Sequence, residues 1–274
     1  MDAYINKDTQ LCMSLAARPG NFGTRFHNFL YRELGLNYVY KAFTTRDLKA
    51  AIGGIRALGI RGCAVSMPFK EECIPYLDEL DPSAKGIMSV NTIVNTDGFL
   101  KAYNTDYIAV QSLLHSRRVP TNLEFALRGS GGMAKAVAAA LHDAGFSKGT
   151  IVARNRAAGT ALASLHGWEW QPDLEAVTQK LLINVTPVGM AGAAEAYELS
   201  FPTAAVHVAE WIFDVVALPA ETPLIRLAKS LGKQSISGAE VIALQAVEQF
   251  VLYTGHRPAP DQIERAAAFA RQTT

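Results

Sequence analysis

The sequence is short of almost everything that would mark a specialised chain. Charge of one sign is absent: 26 Lys and Arg stand against 25 Asp and Glu, a net charge of +1, with no basic run. That leaves no electrostatic footprint for nucleic acid or an anionic membrane surface. Cysteine is scarce; Cys12, Cys63 and Cys73 are odd in number and lack Cys-x-x-Cys spacing. They read as reduced, buried thiols of a cytoplasmic protein rather than a disulfide framework. No window of about 18 uninterrupted apolar residues exists, so no bilayer span is expected. The opening "MDAYINKDTQLCMSL" lacks a basic region followed by an apolar stretch, so no signal peptide is expected either. His27, His115, His142, His166, His207 and His256 are scattered without ligand spacing, and no metal is expected. Trp168, Trp170 and Trp211 are most simply packing residues. There is no repeat and no low-complexity tract.

What is present is an alternation. With 274 residues, 49% hydrophobic and 19% charged, the chain is long enough for two domains with their own cores. "LCMSLAA", "NYVYKAF" and "IRGCAVSM" read as strands; "FGTRFHNFLYREL" and "TRDLKAAIGGIRAL" read as helices between them. "SVNTIVN" and "FLKAYN" flank Asp97-Gly98, an Asp-Gly hairpin signal. The helix "TDYIAVQSLLHSRR" ends before Val119-Pro120, and the pattern restarts with strand "EFALRG", helix Gly132–Ala144, strand "TIVARN" and helix "AAGTALASLHG". Strands "LLINVT", "EWIFDVV" and "QSIS" follow, with helix "TPLIRLAKSLG" before the last of them. Two helices close the chain. Alternation of this kind predicts parallel sheets covered on both faces, in two lobes, with ligands beyond the carboxyl ends of the strands.

The second lobe opens on "LRGSGGMAKAVAAALHDAG". Gly129, Ser130, Gly131, Gly132, Met133 and Ala134 follow an apolar strand and start a helix. Glycines there permit a tight turn and let backbone N–H groups approach a pyrophosphate at the helix N-terminus. Val137, Ala138 and Leu141 continue at helical spacing as core. An NAD-selective site usually ends the next strand with an acid for the ribose 2′-OH. Here that strand ends in Arg154, Asn155 and Arg156, whose guanidiniums suit a 2′-phosphate. NADP is the expected cofactor.

In the first lobe, Lys70 lies just past the strand "IRGCAVSM", and Asp106 opens the helix after "AYN". A lysine and an aspartate meeting beside a nicotinamide can pass a proton to or from a hydroxyl while hydride leaves the same carbon. Taken singly, Asp106 also reads as a helix cap and Lys70 as solvated surface.

Together these stretches resemble the shikimate/quinate dehydrogenase family over nearly the whole chain. "GCAVSMPFK", "SVNTI", "AYNTDY", "GSGGMAKAV", "ARNR", "INVTPVGM", "FDVVALPAETPLI" and "SGAEVIALQAVEQFVLYTG" are similar to its segments in order and spacing. The resemblance implies an α/β protein with an N-terminal substrate domain and a Rossmann-type doubly wound NADP domain. The expected borders are residues 1–105, completed by 239–274, and 106–238. It also implies NADP-linked oxidation of shikimate to 3-dehydroshikimate and its reverse, with a role in aromatic amino acid biosynthesis. The sequence does not specify an oligomeric state; a monomer is the default expectation, with a homodimer open. Lys70 and Asp106 match the family's catalytic pair. Asn91 and Gln245 match residues that bind ring hydroxyls, Ser66 takes the place of a threonine, and Gly238 matches a cofactor-contacting glycine. Thr186, Pro187, Val188 and Val215 fall in cofactor-facing stretches.

The departures concern the substrate carboxylate. Asn21 and Gly23 stand where the family has two gripping serines, Val216 replaces a tyrosine and Ala64 an asparagine. Each lost hydrogen bond to a charged group costs roughly 1.5–3 kcal/mol. The expectation is therefore weak shikimate activity or another ring alcohol, unless Asn21, Arg18 or Arg25 compensates. Quinate dehydrogenase, a non-catalytic NADP sensor on the same fold and a folate-linked dehydrogenase are the rival readings. His27 and Asn28 match a His-Asn pair and read as packing and capping.

Overall fold

Apolar runs with β-branched and aromatic residues alternate with amphipathic stretches of about three helical turns, and the chain folds accordingly. The computed structural model describes residues 5–174 and 178–272. In order, β1 (Gln10–Leu15), α1 (Phe22–Glu33), β2 (Tyr38–Phe43), α2 (Leu48–Ala57), β3 (Gly62–Val65), α3 (Phe69–Glu72), β4 (Glu79–Leu80), α4 (Pro82–Lys85), β5 (Thr92–Thr96) and β6 (Phe99–Tyr103) come first. After α5 (Thr105–Ser116) come β7 (Phe125–Arg128), α6 (Gly132–Asp143), β8 (Gly149–Val152), α7 (Arg156–His166), β9 (Glu169–Gln171), β10 (Leu181–Asn184) and α8 (Thr203–Val208). The remainder is β11 (Trp211–Asp214), α9 (Pro223–Ser230), β12 (Gln234–Ser237), α10 (Gly238–Thr254) and α11 (Pro260–Arg271).

These elements form two units: the described residues of Met1–Thr105 with Ala243–Thr274, and Asp106–Ile242. The first holds a six-stranded sheet in the order β2-β1-β3-β5-β6-β4. This sheet is not wholly parallel. β3 pairs antiparallel with β5, and β5 with β6 around the Asp97-Gly98 turn. Successive strand residues point to opposite faces, so Met13 and Leu15 join Ile52, Ile55 and Ile93 in one core. Cys12 faces the other way, into Phe26, Leu30, Phe250 and Tyr253. Fully burying each such aliphatic or aromatic side chain is worth about 2 kcal/mol.

The second unit holds a wholly parallel sheet in the order β12-β11-β10-β7-β8-β9. Every residue of β10 is buried, as a central strand covered on both faces requires. α6 packs by small residues: Ala134, Ala138 and Ala140 are fully buried, with Val137 and Leu141 between them. Strand order reverses between β7 and β10, which is where a doubly wound sheet opens a crevice at its carboxyl ends. The two-unit α/β architecture is the one expected. The elements not expected are β4, β9, α3, α4 and α8, none longer than six residues, too short to show a period. Among the described residues, no helix is long and apolar enough to cross a membrane, and no cluster of His, Cys, Asp or Glu could hold a metal ion.

Candidate active site

In the second unit, Gly129 turns the chain out of β7 at φ +127°, a conformation that a Cβ would strain and that would bring it 2.7 Å from Val185 Cγ2. Its N–H donates to Val152 O at 2.9 Å, tying the tips of β7 and β8 together. Gly131 is the N-cap of α6 and has no side chain to cap the first turn. A Cβ there would meet nothing within 4 Å, so the space beside the loop is open. That space is a cavity of about 340 Å³ whose wall includes Gly129, Ser130, Gly131, Arg154, Asn155, Thr186 and Pro187. Arg128, Val152, Ala153, Pro172 and Val185 complete it, and no carboxylate is among them. Open helix N–H groups, a glycine cradle and guanidiniums fit a nucleotide phosphate.

Other expected cofactor residues sit around this cavity rather than in its wall. Gly132 and Met133 form the first turn of α6, and Ala134 is buried against the sheet. Asn155 has a structural task besides: its Oδ1 accepts from Ala158 N and caps α7. Arg156 lies over the Trp170 ring, 5.6 Å from its centroid. Val188, Val215 and Gly238 do not line the cavity. A Cβ on Gly238 would overlap the backbone of Val215 and Val216, so glycine there allows α10 to start hard against the loop after β11.

Behind Thr186 lies a buried polar network that sequence reading passed over. Asn184 Oδ1 accepts from the N–H of Thr186 at 3.0 Å and its hydroxyl at 2.6 Å. Asn184 Nδ2 donates to Asp214 Oδ1 at 3.0 Å, and Thr222 Oγ1 donates to Asp214 Oδ2 at 2.6 Å. Asp214 is fully buried. Burial raises its carboxyl to about 6, against the downward pull of Thr222, Val216 N–H and Asn184. The network fixes the turns after β10 and β11. Its sequence trace is an Asn and an Asp ending adjacent strands, a pattern visible only once the strand order is known.

In the first unit, the sheet register sets Ala42, Ser14, Ala64, Thr92 and Tyr103 in one row across five strands. Beside that row, Asn91 and Gln245 meet: Asn91 Nδ2 donates to Gln245 Oε1 at 3.3 Å. Asn91 Oδ1 accepts from Thr92 Oγ1 (2.9 Å), Thr105 N (2.7 Å) and Thr105 Oγ1 (3.1 Å). An oxygen so saturated fixes the amide orientation, so Asn91 presents N–H groups and Gln245 keeps its own amide nitrogen as a donor. Gln249, one turn beyond Gln245, donates to Asn91 O and Thr92 Oγ1 at 3.2 and 3.1 Å. This second glutamine was not anticipated; its i,i+4 spacing from Gln245 was the available signal.

Lys70 is half-buried in α3, and its carbonyl accepts from Val90 N at 2.8 Å, next to Asn91. Ser66 is exposed at the end of β3. Asp106 is buried and opens the second unit, directly after the Thr105 that binds Asn91. Asn21 is exposed at the start of α1, where its side chain caps nothing. Gly23 faces Tyr40, whose Oη would lie 3.4 Å from a Cβ there. Val216 is buried. Arg25 is engaged elsewhere: Nε and Nη2 donate to Phe269 O at 3.1 and 2.9 Å, with its guanidinium 4.2 Å from the Phe269 ring. The carbonyl and ring of Phe269 thus hold its guanidinium against α11. His27 is fully buried and stacks on Tyr40 at 4.5 Å, a packing residue. Asn28 ties α1 to β2, exchanging bonds with the backbone of Tyr40.

A parallel sheet in this strand order, with a glycine loop opening its first crossover helix, defines the Rossmann-type dinucleotide-binding class of α/β proteins. Residues 22–93 match the shikimate dehydrogenase substrate binding domain. The chain is 60% identical to a shikimate dehydrogenase-like protein of Haemophilus influenzae, covering 97% of this chain and 98% of that one. It is 36% identical to the shikimate dehydrogenase (NADP(+)) of Moorella thermoacetica, over 85% and 83% of the two chains. Its fold is similar to shikimate 5-dehydrogenase from Thermus thermophilus in complex with NADP(H) and shikimate, with TM-score 0.85, 29% identity and 95% and 99% covered. The chain belongs to the shikimate dehydrogenase family.

Proposed function

We propose that the protein is an NADP-dependent oxidoreductase that interconverts a ring hydroxyl and its ketone, with a rebuilt grip on any substrate carboxylate. The observation that carries this reading is the cavity at the β7–α6 loop, with Gly131 open and Arg154 at its wall. Residues 106–238 then serve the nucleotide, and residues 1–105 with 239–274 serve the substrate. Bound there, NADP+ supplies the acceptor for a hydride. Gly129 to Gly132 and the first turn of α6 hold the diphosphate, and Arg154 and Arg156 favour the 2′-phosphate. Asn91 and Gln245 offer amide N–H donors to ring oxygens, their orientation set by Thr92, Thr105 and Gln249. Lys70 and Asp106 handle the proton of the reacting hydroxyl.

The carboxylate side reads differently. Asn21 offers an exposed amide, Gly23 nothing, and Arg25 is bound to Phe269. Shikimate is therefore a poor substrate, and a ring alcohol whose affinity rests on hydroxyls is the better one.

Steady-state reduction of NADP+ with shikimate, quinate and a series of uncharged ring alcohols tests this. The Lys70→Ala variant should lose at least about 10²-fold in turnover while its NADP affinity, read by calorimetry, is kept. Unchanged turnover in Lys70→Ala refutes its role. No turnover of any ring alcohol by a parent protein that binds NADP favours the sensor reading.

A further inference from the structure

Arg128 ends β7 after three fully buried apolar residues, Phe125, Ala126 and Leu127. A guanidinium at the tip of a central parallel strand is out of keeping with the apolar run such strands carry, and its charge needs a partner. The partner is Asp173 Oδ1, at 3.3 Å, on the loop after β9. The arginine side chain is 28% exposed and the aspartate 73%. An ion pair with so exposed a member is weak. Arg128 and Arg154 both line the nucleotide cavity, and the register pairs Arg128 with Val152, two residues before Arg154. The register also pairs Arg128 with Asn184 of β10, but Asp173 follows β9, beyond β8 in the strand order. The Arg128 guanidinium, like Arg154, therefore belongs to the β8 side of the cavity, where a ribose phosphate of the cofactor would lie.

We infer that Arg128 is a second phosphate-binding residue beside Arg154, and that Asp173 is a built-in competitor that holds it until a 2′-phosphate displaces the carboxylate. The inference rests on the NADP reading above. A phosphate monoester carries nearly two charges and three acceptor oxygens, and a guanidinium can bind it bidentately, so it outcompetes an exposed carboxylate. Asp173 thereby lowers the affinity for phosphorylated and unphosphorylated nucleotide unequally: only the former must open the pair.

Calorimetric titration of the full chain with NADP+, NAD+, 2′,5′-ADP and 5′-AMP tests this without turnover. Arg128→Leu should weaken NADP+ and 2′,5′-ADP on the order of 10- to 100-fold and leave NAD+ and 5′-AMP nearly unchanged. Arg128→Lys should recover part of the loss. Asp173→Asn, at an exposed position where the amide oxygen can still accept from Leu174 N, should tighten NADP+ about two- to fivefold, a gain that salt abolishes. Parent protein that binds NADP+ and NAD+ equally overturns both the cofactor reading and this inference. Parent protein that prefers NADP+ while Arg128→Leu and Asp173→Asn bind it unchanged overturns the inference alone. An equal loss for NAD+ and NADP+ in Arg128→Leu moves the residue to the diphosphate and overturns the ribose-phosphate assignment.

Discussion

Acid should unfold the first unit through one histidine. His27 lies on α1 with no exposure, its ring stacked on Tyr40 at 4.5 Å and 7° and flanked by Tyr253 and Phe250. Neither ring nitrogen has a hydrogen-bond partner of good geometry, although Gln249 lies close enough to act on the ring. Burial pulls its pKa from the ordinary 6.5 down to about 3, with Gln249 pulling weakly the other way. A lowered histidine pKa means the folded protein holds the ring neutral. The stability this gives is full above pH 6.5 and is lost as pH falls toward 3. The slope is about 1.4 kcal/mol per pH unit, so the loss nears 3 kcal/mol at pH 4.5 and about 5 kcal/mol over the whole window. The perturbation is His27→Phe, which keeps the stack and removes the titrating group. Urea unfolding from pH 7.5 to 4.5, followed by tyrosine near-UV circular dichroism, suits a unit whose sequence has no tryptophan. Comparing variant with parent at each pH cancels the other groups that titrate. The gap between them should widen in favour of the variant by the slope above. Parallel curves between pH 6.5 and 4.5 would refute the reasoning.

Two further outcomes follow from the second unit. Asp214, raised to about 6 by burial, has the opposite sign: stability is full below its ordinary 3.8 and falls as pH rises through 6. Thr222→Val removes the 2.6 Å donor to the carboxylate, so it should cost about 1.5–3 kcal/mol at pH 8 and distinctly less at pH 5, read by the fluorescence of the tryptophans, all three of which lie in this unit; an equal loss at both would contradict this. Gly131→Ala should leave thermal stability unchanged, because a Cβ there meets nothing within 4 Å, yet weaken NADP binding at least about tenfold by occupying the cradle. Gly129→Ala, at φ +127° against Val185, should instead cost about 1–3 kcal/mol of stability, and calorimetry separates the two; matched losses of stability would remove the distinction.

Local sequence was sufficient for the longer elements and for the tight turns that glycine marks. Strands and helices of ten or more residues announce themselves by period. The Asp97-Gly98 turn announces its hairpin, and Gly129 to Gly132 mark a loop between a strand and a helix. The absence of an acid after β8 is legible in Arg154-Asn155-Arg156. What sequence could not supply is which distant residues share a surface. Asn91 needed the register of β5 and a turn of α10 to meet Gln245, and only that packing put Gln249 on Asn91 and Thr92. Arg25 looked available for a carboxylate until α11 placed the Phe269 carbonyl and ring against it. Asn155 looked like a ligand contact and is also the cap of α7. Arg128 gained its partner only when β9 joined the sheet and carried Asp173 to it. Periodicity records which face of an element is apolar, a property of residues a few positions apart. The contacts of Asn91 with Gln245, of Arg25 with Phe269 and of Arg128 with Asp173 join residues tens to hundreds of positions apart, so they exist only after the elements have packed.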